Sequence, residues 1–334
     1  MLRTYGLPTE SRASHAQFLK SHGFDSVVLG PDETPLTIQP ALDANLNVWS
    51  CRPAFSVRHL PSPEAAPYLS QDPDGHPLIW FGSGCPNEPA LRQAHLHHIR
   101  TVAESGAFAG FMLDGIRFAS PNAGDAFFTC FCPRCAAQAD ALGYDFDAMR
   151  RDVSALRHWC RSADASPLAA DPDSLLAPLL IRWPGVAEWL RFREACVRDH
   201  VAEVRAAVDH LNARGAQFQL GAYLFAPLLA PWVGQDYPAL APLLDVISPM
   251  LYRTLGPGDA CLTTEWAGLA ALNLLPSRAE FTPKEVQTPD ERVKLVYAVK
   301  LHLDANPDQR LTPGLPADAI IQWERNTPWA PPRW

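Results

Sequence analysis

Three of the chain's eight cysteines fall within six residues, in Cys130-Phe131-Cys132-Pro133-Arg134-Cys135. A C-x-C-x-x-C run on a loop entering a helix places three sulfurs on one side of a tight turn, and a thiolate zinc site is tetrahedral and wants a fourth ligand. Cys160 and Cys196 lie inside helical patterns, where a small buried thiol is usual, and Cys261 is distant. Cys85 sits in Gly82-Ser83-Gly84-Cys85-Pro86-Asn87, just before the helix that leads into the fourth strand. That helix and strand return the chain to the same end of the molecule, so the expected set is Cys85, Cys130, Cys132 and Cys135, with Cys51 as the replacement for Cys85. Four thiolates leave no open position for water, which makes the zinc structural. The bland alternative is four ordinary buried cysteines. A redox role is not expected, because no C-x-x-C stands in a thioredoxin-like setting.

A second set concerns proton chemistry. The apolar run Phe111-Met112-Leu113 ends in Asp114, with Gly115 next and Arg117 three residues on. A carboxyl that leaves an apolar strand is partly desolvated, which suits a proton donor. Pairing with Arg117 would keep it ionised, as a nucleophile needs, or would make the two a structural pair under the loop. His95, His97 and His98 look like a metal cluster but do not share one helical face, and they read as helix-surface histidines.

These residues depend on a regular alternation of elements. Strands are expected at Leu2–Gly6, Ser26–Gly30, Asn47–Cys51, Gly110–Ile116, Gln217–Leu224, Asp245–Leu251, Pro276–Thr282 and Ala319–Trp323. Helices are expected at Ser11–His22, Thr37–Asn45, Glu88–Ser105, Cys132–Trp159, Val186–Asn212, Thr264–Leu272 and Asp290–Asp304. Between the third strand and its helix lies a long excursion, Arg52 to Gly84, in which Leu78–Phe81 reads as a local strand. Eight strands separated by helices imply parallel pairing in a single (β/α)8 TIM barrel over residues 1–334, with long loops that include the cysteine loop after the fourth strand. A doubly wound open sheet is the competing architecture.

Composition agrees. Hydrophobic residues make up 47% of 334 and charged residues 19%, enough apolar material for a large core. Lys plus Arg is 28 against 36 for Asp plus Glu, a net −8 that argues against a nucleic-acid partner. The 33 prolines cluster between apolar runs and read as stiffeners of ordered loops. No apolar stretch is long enough to span a membrane, and Met1–Gly6 lacks the apolar core of a signal peptide, which points to the cytoplasm. The sequence leaves a homo-oligomer open.

Cys85-Pro86-Asn87 ahead of a helix, then an apolar strand, then Cys130-x-Cys132-x-x-Cys135 resembles the zinc-binding pattern of glycoside hydrolase family forty-two β-galactosidases. In that family four such cysteines hold a structural zinc beside the active site. The chain is also similar to a wider group of uncharacterised barrel proteins related to glycoside hydrolases. In that group the fourth strand ends in Asp-Gly-Ile-Arg, a Cys-Phe-Cys loop follows, and Trp189-Leu190-Arg191-Phe192-Arg193 recurs. The likeness spans roughly Cys85 to Pro249.

The resemblance implies a glycosidase, retaining or inverting, acting on a small carbohydrate through two carboxylates about 5–9 Å apart. This chain has Leu113-Asp114-Gly115 where the β-galactosidases have Asn-Glu, so Asp114 is the carboxyl offered by the fourth strand. Its partner is expected from the seventh strand as Glu280, with Glu285 and Glu324 as rivals. Trp49, Tyr223, Tyr252 and Trp323, at or past strand ends, are the expected sugar platforms, with Arg117 beside them; Trp80 and Trp232 are on loops. The competing readings are a carbohydrate-binding barrel without turnover and a sugar-acid lyase or isomerase, for which Lys284 is the nearby candidate base.

Overall fold

The computed structural model describes residues 2–161, 180–251 and Leu269. Six strands form one sheet: β1 (Arg3–Tyr5), β2 (Ser26–Leu29), β3 (Asn47–Pro53), β6 (Gly110–Asp114), β7 (Gln219–Phe225) and β8 (Val246–Met250). The short strands β4 (Ser70–Gln71) and β5 (Pro77–Leu78) make a separate antiparallel hairpin within the excursion. Every neighbouring pair in the large sheet is parallel, and strand order follows chain order. A doubly wound sheet reverses its order partway; here no reversal occurs, and the six strands curl into a half-barrel. The seventh and eighth expected strands, Pro276–Thr282 and Ala319–Trp323, lie outside the described residues, as does the helix expected at Asp290–Asp304.

Alternation along the strands sorts their side chains onto two faces. Val27, Leu29, Val48, Phe111, Leu113, Leu220, Ala222 and Leu224 belong to the large core shared with the helices. Val28, Trp49, Cys51 and Met112 form a second cluster on the opposite, interior face. The register stacks that interior in rows: Trp49 beside Gly110, then Cys51 beside Met112 and Gly221, then Pro53 beside Asp114. Leu113 pairs with Ala222 and Tyr223 with Ser248, so Asp114, Tyr223 and Ser248 continue the uppermost of these rows.

Helices Arg12–Ser21, Pro35–Asp43, Pro89–Glu104 and Pro184–Ala213 connect the strands. The Pro35–Asp43 helix begins two residues before the expected Thr37, because Thr34 and Thr37 cap it reciprocally. The single helix expected at Cys132–Trp159 is two helices, Pro133–Leu142 and Phe146–Arg161, divided at Gly143, whose φ of 76° is left-handed. The turn between β4 and β5 is clamped from below: Arg157 reaches both Asp72 and Asp74 at 3.0 Å. Among the described residues, no helix is long and apolar enough to cross a membrane.

Candidate metal centre and candidate active site

The loop after β6 carries Cys130 and Cys132 to the start of the Pro133–Leu142 helix, whose first turn supplies Cys135. Cys85 arrives from the other side, four residues before the Pro89–Glu104 helix. All four are buried, and their sulfurs lie within 4.8 Å of one another. Cys85 Sγ is 3.5 Å from those of Cys132 and Cys135 and 3.6 Å from that of Cys130. A tetrahedral ion with metal–sulfur bonds of about 2.3 Å separates its sulfurs by about 3.8 Å, so the cluster has the dimensions of such a site. Cys51, the replacement ligand, is instead buried on the interior face with Trp49 and Met112. Cys160 and Cys196 are buried in helices, as their patterns imply.

The electrostatics also suit a cation. Burial pushes the Cys85 and Cys135 thiols well up, while hydrogen bonds from Cys130, Cys135 and Cys85 pull Cys132 far down. Backbone N–H groups of Gln71 and Asn87 point at the sulfurs of Cys130 and Cys85, each at 3.4 Å. The Asn87 side chain donates to Cys135 Sγ at 3.2 Å. Such outer contacts orient thiolate ligands and spread their charge. The Trp189–Arg193 motif holds the same loop: Trp189 Nε1 donates to the Thr129 carbonyl at 3.1 Å. Arg193, fully buried, donates to the carbonyls of Trp232, Ala119 and Phe127 and stacks 4.2 Å from the Trp189 ring.

Asp114 ends β6 on the interior face, half-buried, between Pro53 of β3 and Tyr223 of β7. Its Oδ1 accepts the N–H of Gly115 at 2.8 Å, and Gly115 turns away with φ 61°. Asp114 also stands near Cys51, whose thiol is pushed far up by burial and by the carboxylate's charge. Arg117 follows three residues further on. It is buried, with its guanidinium 4.4 Å from the ring centres of both Trp80 and Phe225.

Of the four expected sugar platforms, Trp49 and Tyr223 are among the described residues. Trp49 is 1% exposed, two rows below Asp114, with the Arg3 guanidinium 3.8 Å over its ring. A ring enclosed in this way fills the interior and offers no open platform. Tyr223 is half-buried beside Asp114. Tyr252, Trp323, Glu280, Glu285, Glu324 and Lys284 lie outside the described residues.

His97 is exposed, as the surface reading expects, whereas His95 and His98 depart from it. His95 is buried, its Nδ1 is 2.9 Å from His200 Nε2, and His95 and His98 both meet the ring of Phe111 edge-on. Sequence reasoning also missed Arg58 and Phe81. Arg58 donates from Nε and Nη2 to the Phe81 carbonyl at 3.1 and 2.9 Å. The local strand expected at Leu78–Phe81 stops at Leu78, and Phe81 instead stands in a turn with Gly82.

No family profile and no curated protein sequence matches the chain. Its fold is a TIM-barrel-like α/β fold of the kind found in glycoside hydrolase domains. The PgaB (BpsB) glycoside hydrolase domain from Bordetella bronchiseptica superposes with a TM-score of 0.50 at 14% identity, over 81% of this chain and 80% of that one. The catalytic domain of a β-amylase from Paenibacillus polymyxa gives 0.48 at 12% identity, over 81% and 82%. A GH42 β-galactosidase from G. stearothermophilus gives 0.48 at 14%, over 80% of this chain and 42% of that one, so the chain spans about two fifths of that enzyme. At these identities the likeness is one of fold.

Proposed function

We propose that the chain is a glycoside hydrolase and that Asp114 is one of its two catalytic carboxyls. The observation that carries the reading is the position of Asp114: a carboxylate on the interior face at the carboxyl end of β6, where barrel enzymes build their sites. The Gly115 N–H steadies Oδ1, and Oδ2 has no hydrogen-bond partner among the described residues, which leaves it for substrate. The fold shared with a glycoside hydrolase domain supports the reaction class by analogy only. The second carboxyl is assigned from the sequence to Glu280, with Glu285 and Glu324 as alternatives. Tyr223, Arg117, Tyr252 and Trp323 are the assigned substrate contacts, within a single barrel over residues 1–334. The four-cysteine cluster holds one zinc ion in a structural role, fixing the loop after β6.

The test begins with a panel of nitrophenyl glycosides and natural oligosaccharides. Asp114→Asn should lower turnover by at least about 10²-fold, the low end for loss of a general acid or base, with melting temperature and metal content unchanged. A folded Asp114→Asn variant as fast as the parent overturns the assignment.

A further inference from the structure

Trp80–Ser83 is a tight turn, closed by the Ser83 N–H on the Trp80 carbonyl at 2.8 Å. Both central residues are left-handed, Phe81 at φ 53° and Gly82 at φ 64°. This turn favours Asn, Asp or Gly at its first central position, and a bulky residue there is strained. Arg58 holds it in place. Its guanidinium donates twice to the Phe81 carbonyl and lies 4.3 Å from the Phe81 ring, and a Cβ on Gly82 would come within 2.3 Å of the Arg58 side chain. Despite that scaffolding Phe81 is 42% exposed. A strained backbone supported to present an apolar ring to solvent points to a use for the ring other than packing.

The turn is fixed relative to Asp114. The Val57 N–H donates to the Gly82 carbonyl and the Gly84 N–H to the Phe55 carbonyl, each at 2.8 Å, while Ala54 of the same segment donates to the Asp114 carbonyl at 2.9 Å. Trp80 packs 5.8 Å from Phe81 and covers Arg117, three residues beyond Asp114.

We propose that Phe81, backed by Trp80, is a stacking platform for a pyranose ring of a neutral oligosaccharide, adjoining the Asp114 site. The proposal rests on the glycosidase reading. The solvent-exposed part of the Phe81 ring suits the C–H groups of a sugar, and the Arg58 guanidinium stacked over the ring carries N–H groups that suit a hydroxyl.

Phe81→Asn tests it, because Asn relieves the turn while removing the ring. Binding of cellotetraose, maltotetraose, chitotetraose and β-1,4-galactotetraose is measured by saturation-transfer NMR and calorimetry in the Asp114→Asn background, which blocks turnover. Expected are an equal or higher melting temperature, affinity weaker by up to about tenfold for a lost stacking partner, and affinity kept in Phe81→Tyr. A lower melting temperature in Phe81→Asn makes the ring packing and overturns the proposal. Unchanged affinity overturns it too, as does failure of all four sugars to bind. Phe81-dependent binding without hydrolysis by the parent chain keeps the platform and removes the glycosidase reading. Hydrolysis with KM indifferent to Phe81→Asn does the reverse.

Discussion

Asn87 donates from one nitrogen to two sulfurs, those of Cys135 and Cys196, each at 3.2 Å. Only Cys135 belongs to the group of four that converge. This separates ligand from neighbour and yields a test. Elemental analysis of protein purified without added metal should find about one zinc per chain. Cys132→Ser should abolish it and lower the melting temperature, whereas Cys196→Ser should keep it. The histidines give a second residue-scale prediction. Burial lowers the pKa of His95 and His200, and that of His98 to about 4, so all three are neutral in the folded chain near pH 7. Unfolded, they titrate near the ordinary 6.5, so the unfolded state binds more protons below that pH. Stability is therefore full above about pH 6.5 and lost as pH falls through the window down to about 4. Melting temperature against pH reads this out, and His200→Asn should flatten the slope. The Cys85 assignment was legible because local chain order alone returns it to the cluster. The His95–His200 contact was not, because its partners are 105 residues apart on different helices.

The Pro184–Ala213 helix is thirty residues long and anchors at Arg193. Three carbonyls from the loops after β6 and β7 converge on that guanidinium, and burial lowers its pKa only to about 9, so it stays charged at neutral pH. Arg193→Met would bury the three carbonyls without donors, at about 1–3 kcal/mol each before relaxation. The expected loss is roughly 3–5 kcal/mol in urea unfolding, in the range for breaking a buried charged network. A loss below about 1 kcal/mol, ordinary for a surface substitution, would show that the loops hold without it. Much at this scale was readable in advance. The six strands of the large sheet lie on the apolar runs, as at Ser26–Leu29, which stops at Gly30, and Gly110–Asp114. The break at Gly143 was not, since Pro133–Leu142 and Phe146–Arg161 carry helical patterns on both sides of it.

For the whole molecule, the position of Asp114 followed from one strand's ending, but the depth of Trp49 did not. Depth depends on register, and the pairing of Trp49 with Gly110 sets that ring two rows below the carboxyl. The cysteine cluster has a topological consequence. Cys85 and Cys130 are 45 positions apart, and the Pro89–Glu104 helix and all of β6 lie between them. An ion shared by the four sulfurs would therefore work as a clasp that encloses the strand bearing Asp114. A cross-link over a loop of that size removes roughly 4 kcal/mol of chain entropy from the unfolded state. Deuterium uptake after chelation should accordingly rise together across Pro89–Glu104 and Gly110–Asp114 while β1 and β2, outside the ring, keep their protection. During synthesis the clasp cannot shut until Cys135 has left the ribosome, so β1, β2 and β3 are free to pair before the segment carrying Asp114 is locked in beside them.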